Sequence, residues 1–379
     1  MKKIKGNVTA PLGFKAKGLW CGLKRSNPDI ALIMSDAPAS AAGVFTKNSI
    51  KAAPLIVSQR HLRNGKARAI VVNSGNANCF TGSFGLVYAN QTAEIFSQLL
   101  GVNKSDVIVA STGIIGKPLP FEKIKKSAPQ LVSKLTTAQK NTVSEAILTT
   151  DKKTKESAVE IVLGHKKVTI GACAKGSGMV APDMATMLCF ITTDAAIEPA
   201  LLKSALSKAI ELSFNCITID GCMSTNDMVV ILANGQAQNK TIKAKDKDYA
   251  LFTAAVTSIC EDLAKMIVMD GEGATKLIQI NIRGAGTKQQ AQKLGLAVAN
   301  SNLVKTAAFG NNSNWGRVAA AIGSLGIKRI NDSNLKISFS PFHKKEIIIT
   351  VDVQLGDAQA VVYTSDLSYE YVRINVEYN

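Results

Sequence analysis

Histidine is scarce in this sequence of 379 residues, and its scarcity limits the chemistry that the chain can support. The three histidines are His61, His165 and His343, and none lies in a nucleophile elbow or in a His-x-x-x-His pair. A Ser-His-Asp triad or a histidine-ligated zinc centre needs such an arrangement. The sequence therefore favours neither a histidine-dependent hydrolase nor a zinc hydrolase.

Long apolar runs are also missing, and the cysteines form no pattern. The opening segment MKKIKGNVTAPLGF has a basic head without the apolar stretch of a secretory signal. No segment approaches the length of a membrane-spanning helix. The seven cysteines are odd in number and include no Cys-x-x-Cys pair, which argues against a disulfide framework. We therefore expect a cytoplasmic protein with reduced thiols and no membrane partner.

Acidic residues are few relative to basic ones. Lys and Arg total 45 against 28 Asp and Glu, a formal net charge of +17. Such an excess can indicate nucleic-acid binding, but the lysines occur in scattered pairs such as Lys2-Lys3 and Lys166-Lys167, without interleaved aromatic residues. The favoured interpretation is a solvated lysine-rich surface, and a nucleic-acid-binding protein is the alternative. A basic field can also gather carboxylate-bearing substrates.

Short apolar runs that end in small polar residues dominate the first half of the chain. The runs at 69–72 and 107–110 lead into Asn-Ser-Gly-Asn and Ser-Thr-Gly, which is typical of buried strands that deliver loops to one edge of a sheet. The segments VTIGAC (168–173) and TMLCFIT (186–192) predict two more strands on either side of a glycine-rich loop.

Helices and further strands alternate irregularly in the second half. Apolar residues from Phe252 to Met266 recur at a spacing of 3.6 residues, and residues 199–212 behave similarly after Pro199. Without a regular βαβ rhythm, the pattern predicts a layered α/β fold with mixed or antiparallel sheets. The remaining predicted strands are 216–220, 227–233, 276–282, 346–353 and 370–376.

The loop between Gly171 and Thr186 is unusual in composition, because it is rich in glycine and carries the lone Lys175. It does not match a phosphate-binding motif, since no helix follows and neither GxxxxGK[ST] nor GxGxxG is present. Composition alone favours a flexible hairpin turn. A second hypothesis is chemical: a threonine whose own α-amine is free can act as a nucleophile without histidine. Cleavage after the small residue Ala185 would free that amine on Thr186.

The segment KGSGMVAPDMATMLCFITTDA (175–195) strongly resembles the self-processing segment of ornithine acetyltransferase, the bifunctional glutamate N-acetyltransferase family of arginine biosynthesis. Each short motif alone is weak, but the motifs follow the family's order across essentially the whole chain. The other matching segments are GVFTKNSIKAAP (43–54), VVNSGNANCFTG (71–82), ASTGIIG (110–116), TTDKKTKE (149–156), DGCMSTND (220–227), GEGATK (271–276), NNSNWGR (311–317) and YVRINVEY (371–378).

The resemblance implies a role for individual residues. It makes Thr186 the nucleophile and Ala185-Thr186 the bond that is cut. It also implies that Thr112 and Gly113 form the oxyanion hole, where a hydroxyl and a backbone N–H can converge. The residues implied to contact the substrate are Thr149, Lys175, Thr186, Glu272 and Asn375. Turn or strand-end capping is the alternative role for Thr149 and Asn375.

The same resemblance implies the architecture and the reaction. Fragments 1–185 (alpha) and 186–379 (beta) would form a layered αββα-type sandwich related to self-processing aminopeptidases and assemble as a heterotetramer of two alpha and two beta. The acetyl group would pass from N-acetylornithine to glutamate through a threonine ester, without metal or cofactor. A bifunctional version also accepts acetyl-CoA, although the absence of a glycine-rich phosphate cradle predicts that acetyl-CoA is the poorer donor.

The sequence leaves two other interpretations open, one enzymatic and one not. An aminopeptidase or amidase could use the same N-terminal nucleophile with water as the acceptor. A catalytically inactive homologue would stay uncleaved. The family also tends to have an acidic residue where this chain has Cys222, which leaves the fine substrate preference open.

Overall fold

The computed structural model describes residues 1–181 and 187–377, which divide into two compact units. Unit 1 contains Met1–Gly176, 187–213 and Met223–Leu263. Unit 2 contains 177–181, Phe214–Cys222 and 264–377. These units are defined by internal packing, so they do not test the predicted division into fragments 1–185 and 186–379, which concerns processing.

The strands of unit 1 form one nine-stranded mixed sheet within the described residues. The spatial order is β1-β6-β7-β8-β9-β3-β4-β5, and β2 pairs with β3 off this path. The strands are β1 Lys2–Ile4, β2 Phe14–Leu19, β3 Ile30–Phe45, β4 Lys66–Asn73, β5 Val107–Ser111, β6 Lys155–Leu163, β7 Lys166–Lys175, β8 Leu188–Thr193 and β9 Met228–Ala233.

Strand direction in this sheet is mixed, as the sequence predicted. Strands β4 and β5 run parallel, and so do β8 and β9, whereas β6–β7, β7–β8 and β3–β4 are antiparallel. The long strand β3 connects the two halves of the sheet. Its first part pairs with β4, the register shifts between Met34 and Ala39, and its last part pairs with β9.

The core of unit 1 explains the layering. Alternate side chains of a strand point to opposite faces. Val71 of β4 packs in an apolar cluster with Phe96, whereas its neighbours Ile70 and Val72 belong to a second cluster that also contains Phe190 of β8. The two faces of β4 therefore belong to different apolar clusters, one of which includes the helix residue Phe96, and this arrangement confirms the predicted layered α/β class.

The helices of unit 1 begin and end where the sequence chemistry requires. Helix α5 starts with Pro199 in its first turn, where the missing N–H costs nothing. Helix α2 ends at Gly101, which has a left-handed φ of 64°. The helices that begin in unit 1 are α1 Ala53–His61, α2 Gly82–Leu100, α3 Phe121–Ser133, α4 Val143–Ala146, α5 Pro199–Leu212 and α6 Lys247–Met269.

Unit 2 has a four-stranded sheet with the order β11-β12-β10-β13, in which only β10 and β12 run parallel. Thr287 and Ser301 cap two of its helices through their side-chain oxygens. The elements are β10 Leu277–Ala285, α7 Lys288–Ala299, α8 Asn302–Phe309, α9 Trp315–Gly323, β11 Lys336–Phe339, β12 Glu346–Asp352, β13 Ala358–Ser365 and α10 Tyr369–Glu377.

Two predicted strands of unit 2 are wrong. Residues 216–220 contain the end of a 3-10 turn and a single bridge from Ile217 to Tyr363. Residues 370–376 lie in α10, although their β-branched residues favour a strand. The exposed ion pair between Glu370 and Arg373 adds little to the helix. Hydrogen bonds from Tyr371 to Asp220 and from Asn375 to Glu272 attach it to the rest of unit 2.

Gly171 in the middle of β7 offers a test of the packing in unit 1. A Cβ atom at this position would lie 2.0 Å from the backbone oxygen of Asn7, which cannot move as a side chain can. We expect Gly171→Ala to lower the free energy of unfolding by about 1–3 kcal/mol, the usual cost of overpacking. Urea denaturation measures this change. Gly323→Ala is the control, because nothing lies within 4 Å of the added atom, and equal midpoints for the two variants would contradict the close approach.

Candidate functional site

The residues at the end of β5 are bonded to the end of β4 and to the loop that follows it. The backbone N–H of Thr112 donates to the oxygen of Asn73 at 3.0 Å, and the hydroxyl of Ser111 donates to the side chain of Asn73 at 2.6 Å. Asn76 forms isolated bridges to Thr112 and Ile114. The parallel pairing of β4 with β5 therefore places Thr112 in a buried position at the end of the sheet.

Gly113 must be a glycine at this position. Its φ is +129°, a conformation that side chains rarely adopt, and an added Cβ would lie 2.4 Å from the carbonyl carbon of Gly75. The backbone of Gly113 is thus pressed against the neighbouring loop. The structure confirms the strand-to-turn position that the sequence predicted for Thr112 and Gly113.

Lys175 is the last residue of β7, and its side chain points to two threonines. The Nζ atom donates to Oγ1 of Thr149 at 2.8 Å and lies 3.5 Å from Oγ1 of Thr112. The lysine is buried, with 2% of its surface exposed. Three of the predicted site residues, Thr112, Thr149 and Lys175, are therefore neighbours in unit 1.

Asp151 completes this cluster, and the sequence did not single it out. Its carboxylate accepts from the backbone N–H groups of Thr149 at 3.1 Å and Gly176 at 2.7 Å, and it pairs with Lys155 at 2.8 Å. Burial tends to raise the pKa of Asp151, but Lys175, Lys155 and the hydrogen bonds lower it to about 2. Asp151 lies in the segment TTDKKTKE, but the sequence gives no indication that its carboxylate is buried.

Asp227 is a second buried carboxyl group that the sequence analysis missed. It precedes β9, and its Oδ1 atom accepts from the N–H of Met187 at 3.0 Å. Its Oδ2 atom is buried and has no hydrogen-bond partner among the described residues. Burial raises the pKa of Asp227 well above its ordinary value, although Met187, Lys175, Ser224 and Thr46 act in the opposite direction.

Glu272 and Asn375 are the predicted site residues in unit 2, and they contact each other. The Nδ2 atom of Asn375 donates to Oε2 of Glu272 at 2.8 Å and to the backbone oxygen of Tyr371 at 2.9 Å. The N–H of Glu272 donates to the oxygen of Ser177 at 2.7 Å. The structure therefore brings this pair together, with Asn375 on a helix rather than on the predicted strand.

The segment 177–181 is fastened within unit 2. Asp220 accepts from the N–H groups of Met179 at 2.6 Å and Val180 at 2.9 Å, which fixes Met179 at a left-handed φ of 56°. A Cβ on Gly178 would lie 2.4 Å from the carboxyl carbon of Glu272, so glycine at this position leaves room for the carboxylate. The predicted cleavage residues Ala185 and Thr186 come a few positions later and lie outside the described residues.

The described part of the chain contains no group of three or more His, Cys, Asp or Glu that could hold a metal ion. All seven cysteines are free thiols. Among residues 1–181 and 187–377, no helix is both long and apolar enough to cross a membrane.

Comparisons with known proteins identify the family of this chain. A family model described as the ArgJ family matches residues 15–344. An "Arginine biosynthesis bifunctional protein ArgJ" from Gloeobacter violaceus is 44% identical over 399 residues, covering 99% of this chain and 98% of its own. The protein of the same name from Shouchella clausii is also 44% identical, with coverages of 100% and 97%.

Solved structures with similarity to the chain include an ornithine acetyltransferase complexed with ornithine from Mycobacterium tuberculosis. It is 37% identical in sequence and has a TM-score of 0.46, covering 48% of this chain and 97% of that chain. The family model spans most of the sequence, and the curated relatives match it almost from end to end. The chain therefore belongs to the ArgJ family.

Proposed function

We propose that the protein is an ornithine acetyltransferase that cleaves itself between Ala185 and Thr186 and then moves acetyl from N-acetylornithine to glutamate. The observation that carries the proposal is the buried lysine of unit 1, whose ammonium group lies against the hydroxyl groups of Thr149 and Thr112 beside Gly113. Membership of the ArgJ family supports the same assignment.

The direction of these hydrogen bonds matters for catalysis. A lysine ammonium group only donates, so both threonine oxygens act as acceptors toward Lys175. The single hydrogen of the Thr112 hydroxyl has no other acceptor among the described residues. It remains available for the oxygen of an acyl group, and a preorganised donor of this kind stabilises the negative charge that forms on that oxygen during acyl transfer.

In the proposed mechanism, Thr186 is the nucleophile in two half-reactions. Its Oγ atom attacks the acetyl carbonyl of N-acetylornithine, its free α-amine takes the hydroxyl proton, and Thr112 with the Gly113 N–H stabilises the oxyanion. The C–N bond then breaks, and the proton passes to the departing ornithine amine. Glutamate next attacks the acetyl-threonine ester through its amino group, which yields N-acetylglutamate and restores the threonine hydroxyl.

Each unit carries a charged residue that suits one end of an amino-acid substrate. A lysine such as Lys175 pairs well with a carboxylate, and the carboxylate of Glu272, held by Asn375, suits an ammonium group. The relatives' name "bifunctional" supports acetyl-CoA as a second acetyl donor. We further propose that the two fragments remain associated as two alpha and two beta chains in the cytoplasm, and that the reaction uses no metal or cofactor.

Self-cleavage is the first test of this function. We expect intact-mass spectrometry of the purified protein to show fragments 1–185 and 186–379, because the Thr186 hydroxyl attacks the carbonyl carbon of Ala185 and water then hydrolyses the resulting ester. Thr186→Ala should remain a single inactive chain, whereas Thr186→Ser should still cleave because it keeps a hydroxyl group. Normal cleavage of the alanine variant would exclude Thr186 as the nucleophile.

The role of Thr112 predicts a selective loss of turnover. Removing one oxyanion donor lowers kcat by about 100- to 1000-fold, so we expect Thr112→Ala to reduce kcat in this range with a small change in KM. Steady-state kinetics measure both constants. Thr306→Ala is the control, because Thr306 is exposed in unit 2 and bonds only to groups of its own neighbourhood. A change in KM alone would make Thr112 a binding residue.

The covalent intermediate predicts ping-pong kinetics. With N-acetylornithine and glutamate as varied substrates, double-reciprocal plots should give parallel lines. When glutamate is withheld, an acetyl group should accumulate on fragment 186–379 and be detectable by mass spectrometry. Net release of acetate at the rate of ornithine release would indicate an amidase, and intersecting lines without an adduct would indicate direct transfer.

A further inference from the structure

The proposed mechanism assigns no task to Asp151, although this residue makes four polar contacts inside unit 1. Its carboxylate accepts from Gly176 N–H at 2.7 Å and from Thr149 N–H at 3.1 Å. Its distances to the lysine Nζ atoms are 2.8 Å for Lys155 and 3.9 Å for Lys175. An ionised carboxylate is expensive to bury, so such a group needs an explanation.

Three of these contacts involve the proposed site. Asp151 holds the backbone of Thr149 and faces the ammonium group of Lys175, and these two residues are themselves hydrogen-bonded. It also holds the backbone of Gly176, the residue after Lys175. The Asp151 carboxylate therefore faces the ammonium group of Lys175 and also holds the backbone of the next residue, Gly176.

The charges around Lys175 show what the carboxylate provides. Lys155 and Lys175 are both buried, with side-chain exposures of 1% and 3%, and Asp151 lies between them with a fully buried side chain. Lys24, on another loop, interacts electrostatically with both Asp151 and Lys175, and Asp227 interacts with Lys175 from the position just before β9. Burial favours the neutral form of Asp227, and Asp29 acts on Lys24 more strongly than Asp151 does, so Asp151 is a carboxylate that compensates Lys155 and Lys175.

The charge state of Lys175 decides how the Thr112 hydroxyl is oriented. A charged lysine has three donors and no acceptor, so it leaves the threonine hydrogen free. A neutral lysine has a lone pair that can accept this hydrogen, and the hydroxyl would then point its own lone pairs at the acyl oxygen. The oxyanion hole would lose a donor even though every residue was present.

We propose that Asp151 is a positioning residue that keeps Lys175 charged and thereby holds the Thr112 hydroxyl in the orientation that donates to the oxyanion. The proposal rests on the proposed function, since it assigns Asp151 an effect on the oxyanion hole of that reaction. It predicts that Asp151 acts through Thr112, which a purely structural ion pair would not do.

The test compares Asp151→Asn with wild type in the full-length, self-processed protein. Because the loss of an oxyanion donor costs about 100- to 1000-fold, we expect the variant to lose at least about tenfold in kcat at pH 8. The loss should shrink as the pH is lowered to 6, because protonation of Lys175 restores the donating orientation of Thr112. The alkaline limb of the kcat profile should thus move to lower pH.

A double-mutant cycle separates positioning from structure. If Asp151 acts through Thr112, Thr112→Ala combined with Asp151→Asn should be little slower than Thr112→Ala alone. Fully additive losses, or the same loss at every pH, would overturn the proposal. Lys155→Met is the matched control, because it removes the closer ion-pair partner but keeps Asp151 beside Lys175, and its pH profile should keep the wild-type shape.

Two further results keep the outcome unambiguous. If Asp151→Asn fails to fold, the pair Asp151→Asn with Lys155→Gln removes both partners of the ion pair together, and it should show the same shift of the alkaline limb. An unshifted limb in that variant would also overturn the proposal. If Thr186→Ala cleaves normally or Thr112→Ala keeps full turnover, the proposed function itself fails. If Thr186→Ala stays intact and Thr112→Ala loses turnover, but the alkaline limb of Asp151→Asn does not shift, only the role of Asp151 is rejected.

Discussion

The burial of Lys175 is the constraint on which the arrangement in unit 1 depends. An unpaired ammonium group in a protein interior would lose its proton or destabilise the fold. Its surroundings include groups that stabilise the charge, among them two threonine hydroxyls and the Asp151 carboxylate. The same groups bring the ends of β5 and β7 together with the loop that contains Thr149. The contacts that allow the lysine to be buried are therefore the contacts that assemble the proposed site.

Glycine serves a second and separate purpose in both units, because it permits close approach where a side chain would collide. Gly113 lies against the backbone of Gly75 in unit 1, and Gly178 lies against the carboxylate of Glu272 in unit 2. The atom within 3 Å of a hypothetical Cβ belongs in unit 1 to the loop after β4 and in unit 2 to Glu272, a residue predicted to contact the substrate. The glycine-rich composition that suggested a flexible turn is thus explained in part by tight packing.

The sequence predicted the regular elements well where periodicity was strong. Residues 199–212 coincide with α5, and the strands at 107–110 and 168–173 lie inside β5 and β7. The strand predicted at 370–376 is wrong because single-residue propensities do not include the side-chain bonds that attach α10 to the rest of unit 2. Local patterns carry no information about such contacts until the backbone conformation is known.

The site residues were predictable only in part, for a similar reason. The motifs named Thr112, Thr149 and Lys175, but the contact between Lys175 and Thr112 joins positions 63 residues apart in the chain. The strands β5 and β7 are not neighbours in the sheet, where β8, β9, β3 and β4 lie between them, so no local pattern in the sequence indicates this contact. Asp151 lies within a matching motif, yet only its partners distinguish it from an ordinary exposed aspartate. Thr186 remains a prediction from the sequence, since it lies outside the described residues.

Asp151 and Asp227 are buried carboxyl groups of unit 1 whose pKa values are shifted in opposite directions by their surroundings. Asp151 has two lysines and two backbone N–H groups around it, and these outweigh burial and keep it ionised. Asp227 has the N–H of Met187 and a more distant lysine, and there burial prevails and favours the neutral form. Pairs of groups whose pKa values are pushed apart are typical of active sites. Asp151 lies beside the lysine that contacts Thr112, and Asp227 accepts from the N–H of Met187, so the two environments act on different residues of unit 1.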